Sequence, residues 1–504
     1  MPPVVSAPLV RPEVLRVVAA KLFIILFLLV VALVLDGCVR PRSTPPALLR
    51  RRSWAGIWLN TLVVVGVFGT FLAICGNVLV SAVLALALVG LFTMVSNAKR
   101  AMLGEPLVFT DLALIGAIFR HPQFYLSALK PGQKAILVLA APIVPVLLWW
   151  LSVPSWAAQG SGAALLVAVW ALVRLSVQLP PLVHLAETPD VEADVQRHGL
   201  LPTLVLHHAR WRKTRDPVPC IPLSISPDPR ELAIVIQCES FADPVELFGN
   251  PALRLPELER AREDAWQWGN LLVSGFGAYT MRTEYGVLFG RSEAELGFRR
   301  FDPFLTALGE ASYAVPMRLQ ASGWRSLFVH PHDLRFYNRE QIMRAGGFAE
   351  LVGEERFAPP NAEEGRYVTD AAIAAKIMDL AAMADAPTLI YAVTIENHGP
   401  WEASAKADSL MEGYMRLVRN SDAMLATLRA ELAELKRPVS LVFFGDHRPS
   451  IPGISMPGGE RHTPYVILRI DGEGQLVRGE GRRIDLTPAE LDHTLLAVLS
   501  GPAA

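Results

Sequence analysis

Five apolar runs crowd the first 180 residues of this 504-residue chain, and no other feature limits its folding so strongly. They cover roughly 21–37, 54–74, 78–96, 134–152 and 160–178. Each approaches the ~20 residues that cross a bilayer as a helix. A helix satisfies its own backbone groups, which lipid cannot do. Trp54 and Trp58 open the second run, Trp149 and Trp150 close the fourth, and Trp156 precedes the fifth, in the manner of an interfacial aromatic belt. Residues 107–119 are apolar too, but so short a run suits an interfacial or re-entrant helix. Residues 1–180 are therefore expected to form a transmembrane domain of about five helices.

The formal net charge of −1 conceals two unlike halves. Residues 1–180 hold 14 Lys/Arg and 4 Asp/Glu, a net of +10, and the remainder holds 33 and 44, a net of −11. Only 19% of the chain is charged, which argues against an ordinary soluble enzyme, and four cysteines are too few for a disulfide scaffold. The first basic loop carries Arg40, Arg42, Arg50, Arg51 and Arg52. The second carries Lys99, Arg100, Arg120, Lys130 and Lys134. The positive-inside rule places both in the cytoplasm, and five spans would then put the C-terminal half there as well. A crossing by 107–119 would reverse this.

After a Pro-, His- and Arg-rich linker at 181–230, short β-branched runs alternate with helical patterns across 231–504. Strands are expected at 233–238, 326–329, 389–394, 440–444 and 465–470. Helices are expected at 255–268, 303–322, 367–384, 407–436 and 488–499. This alternation means an α/β domain around a mostly parallel sheet. Ligands bind such sheets beyond the carboxyl ends of the strands. Four of the strands lead directly into Glu239-Ser240, His330-Pro-His332-Asp333, Glu396-Asn-His398-Gly-Pro and Gly445-Asp446-His447-Arg448. Acid and imidazole groups thus converge on one edge.

Glu239, Asp446 and His447 suit one divalent ion, manganese in the first instance, with zinc or magnesium as alternatives. A site with an open position activates the oxygen that fills it. Thr280, after Gly275-Phe-Gly-Ala-Tyr and at a helix start, is the candidate oxygen and nucleophile. A plain helix cap completed by Thr283 or Glu284 is the competing role. His398 is the candidate general acid. His330, Arg339 and His462 are candidates to grip phosphate, Arg339 through a bidentate fork.

Together these residues resemble the lipoteichoic acid synthase family of membrane-anchored, sulfatase-like phosphoglycerol transferases. The resemblance rests on Glu105-Pro-Leu-Val-Phe-Thr-Asp111, Gln237-Cys-Glu239-Ser240-Phe241, Thr280 with Glu284-Tyr285, His330 with Tyr337-Asn-Arg339, Thr394-Ile-Glu-Asn397-His398, Gly445-Asp446-His447 and Ile484-Asp-Leu-Thr-Pro. It implies a sulfatase/alkaline-phosphatase-like fold. It makes Glu239, Thr280, Asp446 and His447 metal ligands, Thr280 the nucleophile, and His330, Tyr337, Arg339 and His398 the substrate-binding residues. His462-Thr-Pro-Tyr is similar to a histidine segment of related phosphoethanolamine transferases, which adds His462 to the substrate-binding set. Tyr337 stands where the family has Trp, and His332 where it has an acid, which suggests a different acceptor or headgroup.

The implied activity is transfer of phosphoglycerol from phosphatidylglycerol to a cell-envelope glycan or polymer. Phosphoethanolamine transfer and metal-dependent phosphodiester hydrolysis are the alternatives, and no nucleic-acid partner is expected. The family's catalytic domain lies outside the bacterial cytoplasmic membrane, and that expectation is adopted over the charge rule. Cys220-Ile-Pro-Leu-Ser224 lacks the Arg of the sulfatase maturation motif Cys-x-Pro-x-Arg, so sulfate-ester hydrolysis is not expected. Cys238 is expected to be a buried free thiol.

Overall fold

The computed structural model describes residues 12–41, 52–114, 155–361, 365–401 and 409–501, together with 138, 143, 146 and 149–153. The chain divides into two compact units, Met1–Ala101 with Glu105–Lys213, and Met102–Gly104 with Thr214–Ala504.

In the first unit, four helices among the described residues are long and apolar enough to cross a membrane: Val18–Gly37, Trp54–Cys75, Val78–Leu103 and Trp156–Ser176. The expected span at 134–152 falls largely outside the described residues. Of 107–119, Phe109–Leu114 form a 3-10 helix and 115–119 lie outside. Trp54–Cys75 and Trp156–Ser176 run antiparallel in close contact. Trp58 Nε1 donates to Ser176 Oγ at 3.1 Å, and further along Gly69 faces Gly162. A Cβ on Gly162 would lie 2.4 Å from the Ala73 nitrogen. Small residues permit such backbone approach in lipid, where packing replaces the hydrophobic drive. Helices Val191–His198 and Leu200–Trp211, within the segment read as linker, also pack in this unit. Arg52 ties them in by pairing with Asp36 at 2.9 Å and donating to the Gln196 carbonyl at 2.9 Å.

The second unit is built on a seven-stranded sheet. The strands are β1 (Leu232–Cys238), β2 (Gln267–Leu271), β3 (Arg325–Val329), β4 (Glu350–Val352), β5 (Thr388–Val393), β6 (Val439–Gly445) and β7 (Thr463–Ile470). Their order is β2-β7-β6-β1-β5-β3-β4. β1 lies parallel between β5 and β6, β3 parallel to β5 and β4, and β7 antiparallel to β6 and β2. β1, β5 and β6 are buried at every position, because helices cover both faces. One face packs against Pro256–Asp264, Asp370–Ala382 and Leu410–Glu434, the other against Thr280–Phe289 and Pro488–Ser500.

Two strands were not expected. β2 has the sequence Gln-Trp-Gly-Asn-Leu, without a β-branched run, and β4 has only three residues. Two helices are shorter than their patterns suggested. The run at 255–268 ends at Asp264, since Ala265 turns extended and Trp266 N donates to the Ile467 carbonyl at 2.9 Å. The run at 303–322 is broken into Pro303–Thr306, a 3-10 turn at Leu308–Tyr313, and Val315–Leu319. Ala314 is extended and Pro316 stands in the first turn of the last piece, where its missing N–H costs nothing. The other three helices form at Asp370–Ala382, Leu410–Glu434 and Pro488–Ser500.

Candidate metal centre

Two turns, at the ends of neighbouring β1 and β6, create the centre. Ser240, directly after Glu239, takes a left-handed φ of 50°. That turn lets Ser240 N donate to Asp446 Oδ1 at 2.8 Å while Ser240 Oγ donates to Glu239 Oε1 at 2.8 Å. One serine therefore orients two carboxylates from different strands. Gly445 makes the approach possible, because a Cβ there would lie 1.9 Å from the Phe241 carbonyl oxygen. Asn397, in the turn after β5, donates to the Ser240 carbonyl at 3.3 Å, and Thr394 Oγ1 accepts from Glu239 N at 3.0 Å.

One ligand atom from each of Glu239, Asp446 and His447 lies within 4.8 Å of the others, and all three residues are buried. His447 Nδ1 lies 3.2 Å from the Arg448 carbonyl, which assigns the N–H to Nδ1. Its Nε2 then faces Glu239 Oε1 at 3.5 Å and Asp446 Oδ2 at 3.7 Å. Asp446 Oδ2 is buried and accepts no well-formed hydrogen bond. Burial first, and then the Glu239 charge, push the Asp446 carboxyl up to about 7. Burial would lower the His447 imidazole, but Asp446 and Glu239 outweigh it and raise it. Two carboxylates and an imidazole, with an orphaned buried oxygen among them, fit a divalent cation that takes oxygen and nitrogen ligands.

Thr280 is the first residue of the helix Thr280–Phe289. The residue before it, Tyr279, is left-handed at φ 78° and makes no side-chain cap. Thr280 Oγ1 is buried and lies 3.4 Å from His447 Nε2, so the structure brings it to the three ligand residues. The capping role does not form. Thr283 Oγ1 donates instead to the Asp446 carbonyl at 2.7 Å, and Glu284 is bound by Arg339.

Arg339 and His330 meet beside this helix. Arg339 Nη1 donates to His330 Nε2 at 3.2 Å, and His330 Nδ1 donates to the Val393 carbonyl at 3.0 Å. Burial, with the Arg339 charge, holds the His330 imidazole well below its usual range, so it is neutral. Tyr337, left-handed at φ 57°, places its ring 5.5 Å from the guanidinium.

His398 is half-buried in the turn after β5, and its Nδ1 donates to the Gly399 carbonyl at 2.7 Å. His462 stands apart from the three ligand atoms, with Nε2 2.8 Å from Glu246 and 2.9 Å from Arg448. Glu396 serves the fold rather than the centre. Its Oε2 accepts from the N–H of Asp370, at the start of its helix, and its Oε1 accepts from Asn420. Cys220 and Cys238 are both free, and Cys238 is buried. Sequence reasoning missed Glu284 as the partner of Arg339. Its only sequence signal is a position one helical turn beyond Thr280.

The sulfatase family model matches residues 231–496, which contain both turns, Thr280 and Arg339. The chain belongs to the sulfatase family. Within it the chain is 31% identical to RkpI, a capsular polysaccharide biosynthesis protein of Rhizobium meliloti, over 85% of this chain and 84% of that protein. It is 27% identical to a protein of the same organism provisionally assigned to cyclic beta-1,2-glucan modification, over 56% of this chain and 48% of that one. The full-length fold matches an integral membrane protein, the lipooligosaccharide phosphoethanolamine transferase A of Neisseria meningitidis. That likeness has a TM-score of 0.53 at 13% identity and covers 95% of both chains. This sulfatase-family chain thus joins apolar N-terminal helices to an alkaline-phosphatase-like domain with a mostly parallel, mixed sheet.

Proposed function

We propose that this membrane protein transfers phosphoglycerol from phosphatidylglycerol to a cell-envelope glycan, with Thr280 as nucleophile. The observation that carries the reading is Thr280 Oγ1 at the start of a buried helix, 3.4 Å from His447 Nε2, where Glu239 and Asp446 converge. A divalent ion held by Glu239, Asp446 and His447, manganese in the first instance, would supply Lewis acidity that lowers the pKa of the hydroxyl and offsets phosphoryl charge.

The chain's own groups do the rest. Thr280 Oγ attacks phosphorus and its proton leaves to solvent. The Oγ–P bond forms as the bond from phosphorus to the diacylglycerol oxygen breaks, and His398 donates a proton to that oxygen. The helix N-terminus favours the anionic group. Arg339 binds its oxygens, while His330, expected from the sequence to grip phosphate too, has both ring nitrogens engaged and steadies the guanidinium instead. Tyr337 packs beneath the guanidinium, and His462 contributes from the Arg448 side. An acceptor hydroxyl then attacks phosphorus and its proton passes to His398, while the bond from phosphorus to Thr280 Oγ breaks and that oxygen takes back a proton from solvent. The names of the two Rhizobium meliloti relatives support a glycan acceptor. Because glycan and lipid donor meet outside the cytoplasm, the catalytic domain faces the periplasm or cell exterior.

Mass spectrometry of Thr280 after incubation with membrane lipid tests this directly. The expected adduct is phosphoglycerol, and a phosphoethanolamine adduct would assign the alternative donor. Thr280→Ala should lower transfer by about 10³-fold or more while leaving the fold intact. Full activity in that variant removes Thr280 as nucleophile.

A further inference from the structure

The helix that begins with Thr280 carries a second polar group into the interior one turn later. Glu284 is fully buried, and Arg339, at 3% exposure, is nearly so. Arg339 Nη2 donates to Glu284 Oε2 at 2.8 Å, and Nε lies 3.2 and 3.3 Å from the two carboxylate oxygens. Nη1 donates to His330. A guanidinium has five N–H groups. One edge is spent on the carboxylate and one hydrogen on the imidazole, which leaves one N–H on each terminal nitrogen.

Glu284 is itself held from behind. Gln237 Nε2 lies 3.5 Å from Glu284 Oε2, and Gln237 Oε1 accepts from the Tyr391 hydroxyl at 2.8 Å. Gln237 lies on β1 two residues before Glu239, and Tyr391 and Val393 lie on β5. The path from Tyr391 through Gln237, Glu284, Arg339 and His330 to Val393 starts and ends on one strand. The backbone of that strand closes the ring, which ties Arg339 to both β1 and β5.

We infer that Glu284 is a positioning residue: it fixes the Arg339 guanidinium in the orientation that receives a phosphate oxygen, and so sets the binding of the anionic donor. The inference rests on the reading of Arg339 as a phosphate ligand. The physical reason is the low polarity around the pair. A guanidinium buried without a counter-charge is costly, and when the carboxylate is lost it turns toward another partner. Two planar groups joined edge to edge have little rotational freedom, which an imidazole contact alone would not impose. Because Glu284 and Thr280 share one helix, nucleophile and phosphate ligand hold a common frame.

The test is a double-mutant cycle on the full-length protein in detergent with Mn²⁺ present. Two readouts are taken: steady-state kinetics with phosphatidylglycerol in mixed micelles, and calorimetric binding of inorganic phosphate. Glu284→Gln should raise KM and the phosphate Kd about tenfold while kcat changes less than about threefold. In an Arg339→Gln background the same change should alter either constant less than about twofold. A folded Glu284→Gln protein with parental KM and Kd, or equal losses in both backgrounds, overturns the inference. If Glu284→Gln does not fold, Glu284→Asp keeps the charge but retracts it. It should weaken phosphate binding in the same direction, and parental Kd in that variant is equally decisive against the inference. Phosphate binding needs no turnover. A parent that transfers nothing but shows the coupling would discard phosphoglycerol transfer and keep the clamp.

Discussion

Gly445 offers a sharp test of how the centre is assembled. An alanine Cβ there would stand 1.9 Å from the Phe241 carbonyl oxygen and 2.9 Å from its carbon, where ordinary contact begins near 3.4 Å. About 1.5 Å of separation must therefore be created between two backbone turns. Overpacking of this kind costs typically 1–3 kcal/mol, and the upper end applies where no flexible side chain can yield. The displaced backbone is the one that carries Ser240, which orients both Glu239 and Asp446. Misplacing groups that support metal ligands costs about 10- to 100-fold in affinity. Gly445→Ala should therefore lower the thermal transition measured in detergent and weaken Mn²⁺ binding by at least tenfold by calorimetry. Gly459→Ala is the matched control, since a Cβ there meets nothing within 4 Å. If Gly445→Ala kept both the transition and the Mn²⁺ affinity of the parent, the close approach of the two turns would not be what sets the ligands.

Two further outcomes rest on charge and burial. The Asp446 carboxyl is raised to about 7 in the folded protein, by burial and then by Glu239. A raised acid means the native state holds a proton that the unfolded state has already lost. Metal-free stability should therefore fall as pH rises from the unfolded value of 3.8 toward about 7. Metal ligation needs the carboxylate, so the thermal shift produced by Mn²⁺ should be larger at pH 8 than at pH 6. An equal shift at both would contradict this. Separately, Glu310 joins two arginines inside the fold, Arg291 at 2.7 Å and Arg299 at 2.8 Å. Glu310→Ala leaves Arg299 buried with only the exposed Asp216 opposite, and should cost about 3–5 kcal/mol by denaturant titration. A loss under about 1 kcal/mol would mean the pair is compensated elsewhere.

The legible parts of this chain were those where one physical rule acts alone. Strands buried on both faces read as continuous apolar runs, so β1, β5 and β6 were expected in nearly their observed places, and with them the turns that carry Glu239, His398 and Asp446. Edge strands have no such pattern, and Gln-Trp-Gly-Asn-Leu gave no sign of β2. Acid residues misled where their use depends on a distant partner. Glu396 looked like a site carboxylate and instead receives the Asp370 N–H. Glu284 looked like part of a helix cap and instead holds an arginine 55 positions away. Local spacing cannot reveal either, because both partners are fixed by packing between elements.

The burial of the helix Thr280–Phe289 has a consequence for how such a site can diversify. Nine of its ten residues are buried, and it carries Thr280, Thr283 bonded to the Asp446 carbonyl, and Glu284 bonded to Arg339. These groups move as one rigid body, so no one of them can be retuned without disturbing the others. Room for change lies at the rim, in half-exposed residues such as His332, Tyr337 and His462. A designer wishing to exchange the headgroup or the acceptor would leave the helix untouched and randomise that rim. The reaction's core and its choice of substrate are in this sense separable modules.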